Sequence, residues 1–227
     1  MVQNQERVLY REISRKEYIS AATQIIKEEG IEAISIRKLA SRLNYSSASL
    51  YRYFKNLEEL LFYAQIDELT DYIIALSEAE KHWKDAWDMH FGVWRAYAKE
   101  AFRHPRAFES IFYKKMNLPL RDALREYYEM FPENIIKLSP TIKTMLGFPG
   151  YYERDFFMCQ NLVKEGKLHA EHAERFSHII TNLFLGYFKY VEERGIEEEE
   201  IEQKVNCFIE EAMDIARLYA IVPPEKP

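Results

Sequence analysis

Apolar residues recur at helical spacing along most of the 227-residue chain, and this pattern predicts an all-α protein. One buried face of a short helix is indicated by the i, i+3, i+4, i+7 series Ile36, Leu39, Ala40 and Leu43. Asn44 follows this face and tolerates a left-handed backbone, so it can turn the chain sharply.

A second helix is predicted directly after this turn. Ser46 has a side chain suited to an N-cap, and Leu50 and Phe54, one turn apart, can both face inward. The residues left outside are hydroxylated, aromatic or basic. Such groups contact phosphates and base edges in a DNA major groove, so the pattern favours a helix-turn-helix whose second helix reads DNA. The candidate DNA contacts are Arg37, Ser46, Ser47, Ser49, Tyr51, Arg52, Tyr53 and Lys55.

Two segments carry a family resemblance. Residues 36–40, IRKLA, and residues 46–54, SSASLYRYF, resemble the TetR family of bacterial transcriptional regulators, and the likeness is specific from about Arg15 to Leu61. The resemblance implies a three-helix DNA-binding head followed by a helical body that binds a small molecule and dimerises. Asn44 stands where the family usually has Gly. Leu57 stands where the family usually has a phosphate-binding Lys, for which Lys55 is the nearest replacement.

The first helix of this head is predicted to begin at Ser14, after a polar lead-in. Ser14 and Glu17 form a capping-box pattern, and Gly30 is suited to end the helix after Glu29. The DNA-binding domain is therefore predicted to span residues 1–55, and a helical ligand-binding and dimerisation domain to span residues 56–227.

Charge separates these two parts of the chain. Residues 1–55 hold ten Lys and Arg against six acidic residues, whereas residues 56–227 hold 21 against 31. A basic head on an acidic body would meet DNA at one end only. No signal peptide or membrane-length apolar run is recognised, and Cys159 and Cys207 are expected to be reduced thiols of a cytoplasmic protein.

Aromatic residues dominate the first half of the body. Asn56 can cap a long helix from Leu57 to about Ala79, and a helix with an aromatic stripe follows it. The stripe fits either a solid core or the wall of an apolar ligand cavity. The candidate pocket residues are Trp87, His90, Phe91, Trp94, Tyr97, Phe112, Tyr127 and Phe156. Among these, His90 or Tyr127 would fix the polar end of a ligand.

The last two predicted helices carry broad apolar stripes from Phe176 to Val191 and from Ile201 to Tyr219. Such stripes can bury one side in their own body and another in a second copy, forming a four-helix dimer interface. Gly186 inside the first of them would mark a close helix approach. The candidate interface residues are Phe176, Ile180, Leu183, Tyr187, Val205, Phe208 and Ala212.

The sequence does not indicate an enzyme, because no phosphate-binding glycine loop or nucleophile motif is present. His169 and His172, with Glu171 and Glu174, could form half a metal site, but a solvated helix start is the preferred interpretation. We therefore expect no metal and no cofactor.

These patterns together predict a dimeric regulator that binds a near-palindromic DNA operator. By family resemblance it is a repressor released by a small, mainly apolar ligand. The alternative is a helix-turn-helix protein whose body binds a protein partner and no small molecule. Neither the ligand nor the operator is identified by the sequence.

Overall fold

The computed structural model describes residues 2–66, 68–112, 120–134, 138–148 and 150–225. Within these ranges the chain is helical and has no β-strand, which confirms the predicted all-α class. The helices are α1 (Val2–Glu29), α2 (Ile36–Leu43), α3 (Leu57–Ile66), α4 (Glu68–Ala79), α5 (Ala86–Arg103), α6 (Pro105–Phe112), α7 (Leu120–Met130), α8 (Pro140–Leu146), α9 (Tyr151–Lys164), α10 (Ala173–Arg194) and α11 (Glu198–Tyr219). None of the helices described is both long and apolar enough to cross a membrane.

The chain forms two compact units. Unit 1 contains Met1–Glu68 and Asp122–Ile135, and unit 2 contains Leu69–Arg121 and Ile136–Pro227. Unit 1 is therefore discontinuous in sequence. The chain leaves unit 1 after α3 and returns to it to add α7.

The first helix begins at Val2, so the predicted start at Ser14 is wrong. The physical reason lies upstream of Ser14. Residues 2–13 contain no Gly or Pro and are rich in Gln, Glu and Arg, which tolerate a helix interior, so the capping-box pattern does not stop the helix. The predicted end is confirmed, because α1 ends at Glu29 and Gly30 follows with a φ of 84°.

The α2 boundaries follow the prediction. Ser35 caps the helix, since its side chain accepts a hydrogen bond from the Lys38 backbone N–H at 3.2 Å. Asn44 ends it in the left-handed region, with φ 56° and ψ 38°. This position is the one where the family usually has Gly, and Asn is among the few other residue types that adopt this conformation readily.

The predicted second helix is wrong in type. Residues 47–49 form a turn, and a short 3₁₀-helix follows over Leu50–Arg52. Here the Ser49 backbone N–H bonds to the Ser46 carbonyl oxygen at 2.9 Å, and the Ser49 hydroxyl bonds to the same oxygen at 2.5 Å. Serine hydroxyls compete in this way for backbone groups, which disfavours a regular α-helix in a serine-rich stretch. We call residues 46–54 the reader segment.

Unit 1 is held together around Arg15. Its guanidinium group lies 4.6 Å from the ring centroid of Tyr63 and 5.4 Å from that of Phe54. The same group forms a 3.1 Å ion pair with Glu126 of α7, and the Tyr63 hydroxyl donates to Glu126 at 2.7 Å. Lys16 adds a 2.9 Å ion pair with Glu133. α7 is therefore joined to α1 by the Arg15–Glu126 ion pair and to α3 by the hydrogen bond from Tyr63.

The helix start predicted from the capping residue Asn56 is confirmed. The Asn56 side chain accepts a hydrogen bond from the Glu59 backbone N–H at 2.9 Å, at the start of α3. Gly195 follows α10 with a φ of 66°, and Glu197 and Glu200 form a reciprocal capping box at the start of α11. The predicted helix from Leu57 to Ala79 is described as α3 and α4.

The core of unit 2 is built on α5, whose apolar face meets α9, α10 and α11. Trp94 lies at its centre, with ring centroids 5.1 Å from Phe184 and 5.6 Å from Phe208. These large aromatic rings bury apolar surface, which stabilises the unit.

Candidate functional site

The reader segment is positioned by buried aromatic contacts in unit 1. Leu50 and Phe54 are buried, as their helical spacing predicted. Tyr18 of α1 lies beneath them, with ring centroids 6.3 Å from Phe54 and 5.9 Å from Tyr53. The opposite side of the reader segment faces solvent.

All eight predicted DNA-contacting side chains are exposed or half-buried. Arg37, Ser46, Ser47, Tyr51, Arg52 and Lys55 are exposed, whereas Ser49 and Tyr53 are half-buried. Tyr51 is 58% exposed, which is unusual for an aromatic side chain and leaves its ring available to a partner.

The cations of this surface fall into two groups. Lys38 and Arg42 pair with Glu29 and Glu28 of α1, at 2.5 Å and 2.9 Å. The other group is Arg37, Arg52 and Lys55, which form no ion pair among the described residues. These three charges are free to meet phosphates or base edges, because no carboxylate competes for them.

Ser49 is committed to an internal contact. The Tyr18 hydroxyl and the Ser49 Oγ are 2.5 Å apart, and Ser49 also bonds to the Ser46 carbonyl. Ser49 therefore fixes the reader segment to α1, and its part in contacting DNA stays a prediction. Sequence spacing alone gave no signal for this contact, since 31 positions separate the two residues.

This arrangement, a capped helix, a left-handed turn and an exposed cationic reader segment, defines a DNA-binding helix-turn-helix head. Residues 19–64 match the family model described as bacterial regulatory proteins, tetR family. The N-terminal part of this chain is thus similar to the DNA-binding region of that family. No curated protein matches the sequence.

Solved structures extend the likeness to most of the chain. RolR in complex with resorcinol has a TM-score of 0.55 at 14% identity, covering 96% of this chain and 98% of its own. A TetR/AcrR-family transcriptional regulator from Thermobifida fusca YX-ER1 has a TM-score of 0.54 at 16% identity, with coverages of 86% and 96%. A Rhodococcus sp. RHA1 protein of unknown function has a TM-score of 0.56 at 17% identity, with coverages of 91% and 95%. The chain thus has the fold of a TetR-family transcription regulator.

Unit 2 contains a buried polar cluster, and His90 is the one member of it that the sequence predicted as a site residue. His90 of α5 lies with its Nε2 2.8 Å from an Asp155 carboxylate oxygen, and both side chains are fully buried. Trp94 donates its indole N–H to the same oxygen at 2.6 Å, and the Cys159 thiol lies 3.5 Å from the other oxygen. Burial and the adjacent carboxylate raise the pKa of the Cys159 thiol well above its ordinary value.

A small cavity adjoins this cluster. It encloses about 20 Å³, room for one water molecule, and is lined by Tyr72, Val93, Trp94, Tyr97, Met145, Tyr151, Arg154, Asp155 and Met158. Arg154 is held by hydrogen bonds to the backbone oxygens of Phe148 and Leu146. Three phenol rings, one guanidinium and one carboxylate make the lining more polar than the predicted apolar pocket.

The predicted pocket residues lie in different parts of the structure, and only some of them line the cavity. Trp94 and Tyr97 line the cavity, whereas Trp87 and Phe91 are buried as a stacked pair with centroids 5.6 Å apart. Phe156 is half-buried. Tyr127 belongs to unit 1, where it stacks on Phe131. The side chain of Phe112 lies outside the described residues.

The predicted interface residues also divide into two sets. Five are buried inside the chain's own core, and these are Phe176, Ile180, Val205, Phe208 and Ala212. Their side chains are therefore unavailable to a second copy, because the intramolecular packing of unit 2 already covers them. Leu183 and Tyr187 are half-buried instead and line a shallow surface groove.

This surface groove, formed by α10 and α11, is completed by Asn182, Gly186, Tyr190 and Lys204. Gly186 does not mark a close approach within the chain, since a Cβ at this position would meet no atom within 4 Å. The glycine instead leaves the floor of the groove open to solvent.

The candidate metal site at His169 and His172 does not bring three potential ligands together among the described residues. The rings of His169 and His172 lie 5.7 Å apart, and His172 pairs with Glu171 at 3.6 Å. In the part of the chain that the structure describes, the one group of three potential metal ligands is His90, Asp155 and Cys159. Cys159 and Cys207 are free thiols, as predicted.

Proposed function

We propose that this protein is a dimeric transcription regulator that binds a near-palindromic operator and is released from it by a small molecule. The observation that carries the proposal is the exposed surface of α2 and the reader segment, where Arg37, Arg52 and Lys55 form no ion pair among the described residues and Ser46, Ser47 and Tyr51 are exposed. Repression, by resemblance to the family, is the expected mode of action.

DNA binding can be tested with the DNA that flanks the protein's own gene. An Arg37→Ala/Tyr53→Ala double variant should lose most of its affinity for this DNA, measured by fluorescence anisotropy. Arg42→Ala is the matched control, because Arg42 is already paired with Glu28 and should matter less. A folded double variant that binds as tightly as wild type would contradict the assignment.

Dimerisation is proposed to occur through the surface groove of α10 and α11. Leu183 and Tyr187 are half-buried there, and Tyr190 is 40% exposed. A contiguous apolar and aromatic surface of this kind is suited to a two-fold contact in which each groove meets its own copy. Sedimentation at micromolar concentration should show a dimer.

The ligand is proposed to enter unit 2 beside Trp94 and Tyr97. RolR is a structural relative seen with resorcinol, which supports a small-molecule ligand for the present protein. Because the cavity holds about one water molecule, ligand binding requires the lining helices to move. Such movement shifts the DNA-binding equilibrium only if the ligand prefers one of two states.

Thermal-shift screening with hydrophobic and phenolic compounds would test this step, because a ligand that binds the folded state raises its stability. A variant with Met145→Trp, which fills the cavity, should remove the shift. Arg217→Ala on α11 is a surface control and should keep it. A compound that lowered operator affinity in wild type but not in the filled variant would support the proposal.

The small size of the cavity also favours a second candidate, a body that binds a protein partner. Native mass spectrometry of the protein from cell extract separates the two. A retained small molecule supports the regulator released by a ligand, and a retained polypeptide supports the partner-binding alternative.

A further inference from the structure

His90, Asp155 and Cys159 bring three different metal-binding groups together inside unit 2. Asp155 and Cys159 are one turn apart on α9 and share a helix face, and His90 approaches them from α5. All three residues are buried, and their donor atoms lie within 4.8 Å of one another. We propose that this cluster binds a divalent transition-metal ion of the zinc type.

The donor set selects the class of metal. Imidazole nitrogen, carboxylate oxygen and thiolate sulfur are the three ligand types that proteins use for zinc. Calcium and magnesium prefer oxygen alone, so a thiol and an imidazole disfavour both. Zinc and cobalt(II) are the ions that this combination fits.

The distances between donor atoms are close to those that a tetrahedral ion needs. Ligand atoms of a zinc site with bonds of about 2.0 to 2.3 Å are about 3.3 to 3.6 Å apart. In the structure His90 Nε2 is 2.8 Å from the Asp155 oxygen, Cys159 Sγ is 3.5 Å from the other Asp155 oxygen, and Sγ is 4.0 Å from Nε2. The His90–Asp155 and Cys159–His90 distances each miss that range by about half an ångström, so only small side-chain adjustments separate the cluster from ligand spacing.

The charge balance favours a divalent ion. A carboxylate and a thiolate contribute two negative charges, so a bound divalent ion gives a neutral site, which suits complete burial. On binding, the Cys159 S–H bond is replaced by a sulfur–metal bond and its proton leaves to solvent. The imidazole coordinates through Nε2 and carries its proton on Nδ1, which has no hydrogen-bond partner among the described residues.

Three protein ligands leave one tetrahedral position for water or another small ligand. Asp155 also lines the adjoining cavity, whose volume of about 20 Å³ accommodates one water molecule. The site is thus the kind that keeps an exchangeable position. A closed structural zinc site would instead use four protein ligands.

Cobalt(II) titration of the purified protein tests the proposal, because a thiolate ligand gives an intense charge-transfer absorption in the near ultraviolet. We expect saturation at one ion per chain, with this absorption present and then lost on addition of zinc. Absence of the absorption in folded wild-type protein would overturn the proposal.

Variants of the two cysteines show which thiolate binds the metal ion. Cys207→Ser leaves Cys159 as the sole cysteine in the chain and should retain the absorption, whereas Cys159→Ser should lose it. Cys207→Ser keeps the test decisive even if the Cys159 variant does not fold. Loss of the absorption in a folded Cys207→Ser variant would place the thiolate at Cys207 and contradict the site.

Discussion

The Tyr18 hydroxyl lies 2.5 Å from the Ser49 Oγ and joins the first helix of unit 1 directly to the reader segment. Removing this hydroxyl in Tyr18→Phe should lower the free energy of unfolding by about 1 kcal/mol, the usual value of one hydrogen bond. The ring contacts with Tyr53 and Phe54 stay in place, so the variant should fold. Urea denaturation would measure the loss.

The same variant has a consequence for DNA binding. Freed from Tyr18, the reader segment should hold its bound conformation less often, and operator affinity should fall without a change in sequence preference. Tyr45→Phe is the control, since its hydroxyl donates to Glu17 at the surface. Equal effects of the two substitutions would show that the Ser49 contact has no special role.

Lys55 is predicted to bind a phosphate in place of the Lys that the family usually has at position 57. Lys55→Ala should weaken binding evenly across DNA sequences and reduce the slope of log K against log salt by about one. Lys81→Ala in unit 2, where Lys81 pairs with Glu78, should leave the slope unchanged. An unchanged slope for Lys55→Ala would remove this residue from the interface.

Two substitutions to Asp should separate dimerisation from folding. Leu183→Asp places a charge in the surface groove and should give folded monomer, because a charge buried at a dimer interface without a partner is costly. Phe208→Asp places the charge in the intramolecular core and should unfold the chain. Sedimentation velocity with circular dichroism distinguishes these outcomes, and a dimeric Leu183→Asp protein would exclude the groove.

The N-cap of α5 predicts a pH dependence of stability. Asp85 accepts a hydrogen bond from the Asp88 backbone N–H at 2.9 Å and pairs with Lys167 at 2.7 Å. Burial raises the pKa of Asp85, but these two contacts lower it by more, so its pKa in the folded protein is below the ordinary value. The ion pair therefore stabilises the fold above the unfolded pKa of about 3.9, and the stabilisation is lost as pH falls through the lower folded value.

Asp85→Asn isolates this effect, because Asn is an equally good N-cap without a charge. It should reduce stability at pH 7 by at most about 1 kcal/mol, as expected for a partly exposed pair, and the difference from wild type should shrink as pH falls through the folded pKa of Asp85. Asp85→Ala should cost about 1 kcal/mol more at pH 7, since it also removes the cap. Thermal denaturation across the acid range checks both, and a pH-independent difference for Asp85→Asn would contradict the ion pair.

Local sequence signals predicted much of this fold. Gly30, Asn44 and Asn56 act on neighbouring backbone groups, so their caps and turns could be predicted from the sequence alone. The reader segment could not, because the Ser49 hydroxyl bonds to the Ser46 carbonyl oxygen in competition with helix formation, and Tyr18, distant in sequence, bonds to the same hydroxyl.

The polar cluster was predicted least well. His90 was recognised on an aromatic helix face, but Asp155 and Cys159 lie on α9, and periodicity within one helix does not show which residue of another helix it will meet. The interface prediction met a related difficulty. Phe208 and Leu183 belong to similar apolar stripes, yet only packing between helices decides that Phe208 is enclosed and Leu183 is not.

The return of Asp122–Ile135 to unit 1 affects how this chain can be recombined with others of the same fold. A chimaera joined after Glu68 would transplant Arg15 and Tyr63 without Glu126, their partner on α7. A functional head swap must therefore move two separate stretches of sequence together. The specificity of this protein cannot be exchanged as a single cassette.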